Sequence, residues 1–415
     1  MITLFQQFTE LLQTQDFWLY ASMPFISAIV GWGTNVVAIK MMFYPIDFFG
    51  YPPYLGWQGI IPAKSEKMAA LSVDIMVPRL ISVKELFENF DPSLAVQHMA
   101  HKLETMPEYL IEDIMENSAP TFWESVPQMV KDEVFRRIQR DLPEVFMQVL
   151  TEMKNNIEDL FDVKQMVIRT LMDDKALGNE MFLRVGSREF KFIEHSGFHF
   201  GFLFGLLQMG IWFFIKAWWI LPLAGAFVGY ATNWLALKMV FKPIEPKKVG
   251  PFTFQGVFLK RQPEVAEEYG KMVSSKVLTP QRILDAILHG THSAKVLQIV
   301  HHNVKHMVDN YAGLVKPLFQ LVLTTKGYID LKNMACDKVV QTLPDTVRAF
   351  HPYMEESMNV SQVLCERMKS LTPLEFERIL HPVFEQDEWI LIAVGAVLGA
   401  CAGLFQLFAL FGEVI

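Results

Sequence analysis

Four long apolar runs separate two longer stretches in which apolar and polar residues alternate at helical spacing. A helix needs about 20 apolar residues to cross a hydrocarbon layer about 30 Å thick, and each run has about that length. We predict transmembrane helices at residues 24–43, 197–215, 222–241 and 389–411. The pattern therefore indicates an all-α membrane protein with several spans.

The two stretches between the runs carry the i, i+3, i+4 pattern of amphipathic helices, as at Val83, Leu86 and Phe87. We predict helical regions at residues 65–195 and 262–388, which prolines divide into helices of different lengths. The many apolar stripes are compatible with an ordinary bundle core or with an adaptable groove for lipid or a partner, and the core is favoured.

Basic residues predict the orientation, because loops rich in Lys and Arg stay in the cytoplasm. They cluster beside the span ends that face the two long stretches, whereas Lys216 is the one basic residue in the segments at the opposite ends. We therefore predict cytoplasmic helical regions and two external termini. For residues 1–23, a helix along the outer interface and an extension of the first span are both open.

The strongest pattern is an internal duplication. Residues 24–46 match residues 222–244 at a constant offset of 198, with 12 identities in 23 positions. At the same offset, Gly197, Gly201, Gly205 and Gln208 match Gly395, Gly399, Gly403 and Gln406. We predict two tandem parallel repeats, at residues 24–215 and 222–411, each with two transmembrane helices flanking a cytoplasmic helical region.

The repeated motif also carries a resemblance. G-x-x-T-N-x-x-A-x-K-M-x-F-x-P followed by a Gln-Gly pair occurs at residues 31–45 and again at residues 229–243. It resembles the signature of the YheB-like family, bacterial membrane proteins with a domain of unknown function. The resemblance covers most of the chain and implies a bacterial inner-membrane location, without an activity to carry over.

A helical wheel places small and hydrogen-bonding residues of the motif on one face, as befits close packing of helices in lipid. We predict that this helix packs on the glycine helix through Gly31, Ala38, Gly197, Gly201, Gly205, Gly229, Ala236, Gly395, Gly399 and Gly403. We further expect Asn-to-Gln hydrogen bonds near mid-membrane. The predicted polar cluster comprises Thr34, Asn35, Gln208, Thr232, Asn233 and Gln406.

Cations and aromatic residues follow the first and third predicted spans. Lys40 and Lys238 lie opposite the packing face, where lysine side chains extend toward lipid headgroups. Residues 51–62 and 250–258 are predicted interfacial or re-entrant loops, with Lys64, Lys260 and Arg261 facing headgroups. Separately, residues 181–194 have a small hairpin about Gly186 as an alternative to helix.

Charge, cysteine content and the motifs present exclude several classes of function. The net charge of −8 argues against nucleic acid as a partner, and three scattered cysteines do not suit a disulfide framework. We recognise no catalytic motif and no metal site, and we expect no cofactor. The sequence predicts a non-enzymatic membrane protein whose cytoplasmic helices bind lipid, membrane or a protein partner; a homo-oligomer is left open. The alternative is a transporter or channel with a polar path along the pseudo-two-fold axis of the repeats.

Overall fold

The structure, a computed structural model, describes residues 16–51, 55–322, 325–385 and 388–410. This part of the chain is almost entirely helical, and its strands form two short antiparallel hairpins. The elements follow one another as α1 (Asp16–Phe43), β1 (Phe49–Tyr51), β2 (Leu55–Trp57), α2 (Ile60–Ala63), α3 (Ser65–Leu80), α4 (Val83–Leu86), α5 (Pro92–His98), α6 (Ala100–Ser118), α7 (Pro120–Ser125), α8 (Gln128–Asn155), α9 (Ile157–Leu160), α10 (Val163–Asp173), α11 (Lys175–Val185), α12 (Ser187–Phe214), α13 (Ile220–Phe241), β3 (Lys247–Val249), β4 (Phe252–Phe254), α14 (Val257–Lys260), α15 (Gln262–Met272), a π-helical turn (Val273–Val277), α16 (Pro280–His289), α17 (Ser293–Val322), α18 (Thr325–Val347), a 3₁₀ turn (Arg348–Phe350), α19 (His351–Met358), α20 (Val360–Ser370), α21 (Pro373–Glu385) and α22 (Glu388–Leu410).

Four of these helices are long and apolar enough to cross a membrane, which confirms the predicted all-α class with four candidate spans. They are α1, α12, α13 and α22. Apolar side chains on all four point outward, among them Trp32, Leu207, Phe227 and Phe405. Such an apolar surface suits contact with lipid tails.

Two of the spans are longer than the apolar runs alone predicted. α1 begins at Asp16, so residues 16–23 continue the first span, and residues 1–15 of the predicted interfacial helix lie outside the described residues. α12 begins at Ser187, ten residues before the predicted start. Its first turns bury Glu189, Ile193 and Ser196, so protein contacts extend the helix beyond its apolar run.

One local expectation around the spans is wrong, and the structure adds detail to another. Residues 181–194 form no hairpin: α11 ends at Val185 and α12 begins at Ser187, and Gly186 keeps helical hydrogen bonds to both. The predicted interfacial or re-entrant loops contain β2 and β4, which pair with β1 and β3 just before them: Gly50 pairs with Gly56, and Lys248 pairs with Thr253. Strand pairing satisfies backbone groups that an irregular loop would leave open.

The chain divides into two compact units. Unit 1 comprises residues 1–75, 171–269 and 365–415, and includes the four apolar helices. Unit 2 comprises residues 76–170 and 270–364. Each unit therefore draws on both halves of the sequence.

Unit 2 is a bundle with an aromatic core. The Phe90 ring lies 6.0 Å from the Phe350 ring and 5.7 Å from the Tyr353 ring, measured between centroids. The Tyr353 hydroxyl accepts a hydrogen bond from the Asp91 backbone N–H. Ser82 and Thr279 cap the N-termini of α4 and α16, since each side chain accepts a hydrogen bond from the backbone N–H three residues ahead.

Prolines divide the helices of unit 2 less completely than predicted. Pro92, Pro120 and Pro280 lie at helix starts, where the missing N–H costs little. Pro107 and Pro143, by contrast, lie inside α6 and α8. An internal proline costs a helix about 3 kcal/mol, so the packing of these two long helices must offset that loss.

Candidate functional site

The repeated glycines of unit 1 lie where helix backbones touch. A Cβ atom on Gly197 would lie 2.5 Å from the Asn35 amide nitrogen, and one on Gly201 would lie 2.5 Å from the Ser27 carbonyl oxygen. One on Gly205 would lie 2.6 Å from the Pro24 Cα. Since the contacts ascend α12 as they descend α1, the two helices are antiparallel.

The other pair of apolar helices has the same arrangement. A Cβ on Gly395 would lie 2.7 Å from the Gly229 carbonyl oxygen, and one on Gly403 would lie 2.8 Å from the Leu221 carbonyl carbon. Gly399 lies against Gly225 in the same way, although Gly225 has no glycine at the matching place in α1. Ala38 and Ala236 are buried on the corresponding faces. Backbones at this distance leave no room for a side chain between them.

The amide side chains do not pair as the sequence suggested. Asn35 Nδ2 donates to the Ile193 carbonyl at 2.7 Å, and Asn233 Nδ2 donates to the Leu391 carbonyl at 2.8 Å. Gln208 Nε2 instead donates to Gln406 Oε1 at 3.2 Å. The expected Asn-to-Gln bonds are therefore wrong: each asparagine bonds backbone of the facing helix, and the glutamines bond each other.

The physical reason is the axial register. The predicted spans begin at Pro24 and Gly197, but both helices extend beyond those residues. Asn35 consequently lies beside Gly197, whereas Gln208 accepts a bond from Ser27 Oγ at 2.9 Å. Ser27, which bonds Gln208, and Asn35 are eight residues apart on α1, so the glutamine and the asparagine lie about 12 Å apart along the helix axis.

The threonines complete this correction. Thr34 Oγ1 donates to the Gly31 carbonyl and Thr232 Oγ1 to the Val228 carbonyl, both within their own helices. The six predicted polar residues are all buried, but they form two asparagine levels and one glutamine pair instead of a single cluster.

The Gln-Gly pair has a structural role that the sequence reasoning missed. Gln58 Nε2 donates to the Ile46 carbonyl at 2.7 Å, and Gln255 Nε2 donates to the Ile244 carbonyl at 3.2 Å. The next residue in each motif, Gly59 or Gly256, donates its N–H to the carbonyl of the proline that follows the span. These bonds fasten each hairpin to the end of its helix. The repeated Pro-Ile and Gln-Gly pairs were the available signal.

Of the predicted headgroup-facing cations, the four lysines are at least partly exposed, whereas Arg261 is held by carboxylates of the protein. Lys40, Lys238 and Lys260 are exposed, and Lys238 Nζ lies 4.5 Å from the centre of the Trp234 ring. Lys64 is half-buried. Arg261 does not belong with them, because its Nη1 lies 2.6 Å from Glu189 Oε1 and its Nε lies 3.0 Å from Glu264 Oε2. Two nearby carboxylates hold this guanidinium within the protein.

Unit 2 contains an apolar cavity of ≈ 180 Å³. Side chains from α6, α7, α8, α17 and α18 line it, and every lining residue is apolar. Trp123, Phe146 and Leu331 are buried in its wall. Along α8, Val134 and Ile138 are half-buried, so this part of the wall reaches solvent. We call this space the unit 2 cavity.

The ionisable groups near the unit 2 cavity lie around it and do not belong to its apolar lining. Burial raises the pKa of the Cys336 thiol, which follows the lining residue Ala335. The Tyr328 phenol has its pKa raised to about 12, mainly by burial and also by Asp309. Hydrogen bonds from Lys332 and then Tyr328 hold the pKa of Asp309 below its usual value. At neutral pH the thiol and the phenol are therefore uncharged, and the Asp309–Lys332 ion pair balances itself.

The fold, the buried amides at the helix contacts of unit 1 and the unit 2 cavity together define a helical membrane protein with an apolar cavity outside its candidate spans. Residues 223–327 match the model of a family described as "Protein of unknown function (DUF445)". A UPF0754 membrane protein of Bacillus cereus strain AH820 is 29% identical over 175 residues, which are 40% of this chain and 44% of that relative.

A second relative, a UPF0754 membrane protein of Bacillus pumilus strain SAFR-032, is 37% identical over 94 residues, which are 22% of this chain and 24% of the relative. The chain thus spans less than half the length of the curated relatives it matches. No solved structure matches it. These matches support a relation to bacterial membrane proteins with a domain of unknown function, while the YheB-like name stays a prediction.

Proposed function

We propose that this is a non-enzymatic protein of the bacterial inner membrane whose unit 2 binds an acyl chain of a membrane lipid. The observation that carries the proposal is the unit 2 cavity, with its entirely apolar lining and its half-buried wall on α8. An apolar cavity of about 150 Å³ stays dry and binds benzene in a well-studied case. Each methylene buried there contributes about 0.8 kcal/mol.

The test is photocrosslinking of the full chain in nanodiscs of phosphatidylethanolamine and phosphatidylglycerol, with a diazirine on the acyl chain. We expect crosslinked peptides from α6 and α8 in addition to those from the spans, which serve as an internal positive control. Crosslinks confined to the spans of the wild-type protein would contradict lipid binding by unit 2.

Variants that fill the cavity separate a lipid site from an ordinary packing defect. Ala335→Phe and Val134→Phe both place a ring at the cavity lining and are expected to remove the α6 and α8 crosslinks. Asn333→Phe is the control, since Asn333 is exposed on the same helix as Ala335. Crosslinks that persist in both filled variants would mean that the lipid lies elsewhere on unit 2.

We also propose that the chain is two tandem parallel repeats. Support comes from hydrogen bonds that recur at the offset of the sequence match: Asn35 to Ile193 corresponds to Asn233 to Leu391. We expect Asn35→Ala and Asn233→Ala to lower the free energy of unfolding by similar amounts, each about 0.6 to 2 kcal/mol. Steric-trap unfolding in bicelles, with choline in place of Na⁺ and K⁺, measures both free energies of unfolding, and a severalfold difference would contradict equivalent repeats.

Both long helical stretches are proposed to be cytoplasmic and both termini external, on the distribution of basic residues around the spans. In a background with the three cysteines replaced by alanine, Lys84→Cys should react with a membrane-impermeant maleimide in inverted vesicles. Lys216→Cys should react in spheroplasts. Both residues are exposed, so the reverse labelling pattern would overturn this orientation.

The glutamine pair bears on the alternative of a transporter or channel. Both polar atoms of the Gln208 side chain are bonded within the protein, to Ser27 and to Gln406. Bonds from both atoms to neighbouring helices suit a role in helix packing, although Gln406 Nε2 has no hydrogen-bond partner among the described residues. The contacts therefore favour the lipid-binding proposal, with a protein partner or a homo-oligomer still open.

A further inference from the structure

Unit 1 contains a second, smaller cavity of ≈ 40 Å³. Side chains from α1, α12, α13, α14 and α22 enclose it. Two asparagines and two glutamates take part in its lining: Asn35, Glu189, Asn233 and Glu388. Space for one water molecule requires about 10 to 15 Å³ on this measure, so the cavity has room for an ion and one or two waters.

Two buried oxygen atoms at this cavity have no hydrogen-bond partner among the described residues. They are Asn35 Oδ1 and Glu189 Oε2. The Asn35 side chain is fully buried and Glu189 is only 3% exposed. A buried polar atom without a partner is costly, and an amide oxygen or a carboxylate oxygen is satisfied by a hydrogen-bond donor or by a cation. They point to a positively charged or hydrogen-donating occupant.

The charges around the cavity favour a cation of single charge. Glu189 shares its negative charge with Arg261, whose Nη1 lies 2.6 Å from Glu189 Oε1. Glu388 lies 3.1 Å from His381 Nε2, and the other ring nitrogen of His381 lies 2.8 Å from Glu377. Of these two glutamates, only Glu189 has a buried oxygen without a hydrogen-bond partner among the described residues. One carboxylate oxygen and one amide oxygen are therefore left for an occupant, whereas Ca²⁺ takes about six to eight oxygen ligands.

We propose that this cavity binds one partly dehydrated alkali cation, Na⁺ or K⁺, through Asn35 Oδ1 and Glu189 Oε2. Amide and carboxylate oxygens are the ligands that hard cations prefer, and water completes the coordination. The bound ion joins α1 to α12 at the asparagine level and thereby stabilises the helix pair. This site is independent of the lipid proposed for unit 2.

The test is direct binding of ²²Na⁺ to the purified full chain in choline chloride, by scintillation proximity, together with competition by unlabelled K⁺. We expect saturable binding of about one ion per chain. The melting temperature should rise by about 2 °C or more when choline is replaced by Na⁺ or K⁺ at constant ionic strength.

Two variants locate the ion. Glu189→Gln keeps a side chain that can hydrogen-bond Arg261 but removes the charge, and it should lose at least tenfold in ²²Na⁺ affinity. Glu264→Gln is the matched control, since Glu264 is the exposed partner of the same arginine, and it should bind as the wild type does. The proposal is overturned if the wild type shows neither ²²Na⁺ binding nor a cation-dependent melting temperature, or if Glu189→Gln binds normally.

Discussion

Gly31→Leu and Gly229→Leu are each expected to lower the free energy of unfolding by about 3 kcal/mol, because overpacking against backbone forces the helices apart. A Cβ on Gly31 would overlap the Gly197 carbonyl oxygen, and one on Gly229 would overlap the Gly395 carbonyl oxygen. Backbone atoms on both sides leave no flexible side chain that could move away. We expect both variants to lose the antiparallel helix contact.

The matched control lies two residues away on the same helix. A Cβ on Gly33 would meet no atom within 4 Å, and glycine costs a helix interior about 1 kcal/mol. Gly33→Leu should therefore be neutral or slightly stabilising. Fluorescence-detected size-exclusion chromatography after heating measures the melting temperatures of all three variants. Equal melting temperatures for Gly31→Leu and Gly33→Leu would show that this close contact does not stabilise the protein.

Arg261→Met is expected to destabilise unit 1 by about 3 to 5 kcal/mol, because it leaves the Glu189 carboxylate buried without its partner. The side chains of Glu189 and Arg261 are only 3% and 15% exposed. Burial alone would lower the pKa of Arg261, but the hydrogen bonds with Glu264 and Glu189 outweigh burial and raise it. The arginine therefore stays charged, and its removal uncovers a negative charge.

A double-mutant cycle tests whether the uncovered charge is the cause. Adding Glu189→Gln to Arg261→Met removes that charge and should recover a large part of the lost stability. Arg188→Met is the control: Arg188 pairs with Glu264 at the surface, where an ion pair contributes at most about 1 kcal/mol. Additive losses in the double variant would mean that Arg261 stabilises the protein by packing alone.

The repeated motif predicted which residues lie at the helix contacts, but not their register. A helical wheel gives the face on which Asn35 or Gln208 lies, whereas register along the axis depends on where each helix begins and ends. α12 begins with charged and polar residues that hydropathy places outside the span. Their burial against unit 1 neighbours is a tertiary effect that a single span cannot reveal.

The unit 2 cavity and the role of Arg261 were beyond the sequence for different reasons. Apolar stripes such as Val130, Val134 and Ile138 look the same whether they fill a core or line a space, since the difference lies in the distance between helices. Arg261 follows a span, as headgroup-binding cations do. Its partner Glu189 precedes it by 72 residues, and no local pattern connects them.

The antiparallel pairing of α1 with α12 has a consequence for biosynthesis. The two helices are far apart in sequence, ending at Phe43 and beginning at Ser187. At about 5 to 20 residues per second, a ribosome needs on the order of 10 s to synthesise the intervening chain. During that time the glycine face and the Asn35 amide of the first helix lack their partner. This helix pair can therefore close only after α12 has been synthesised.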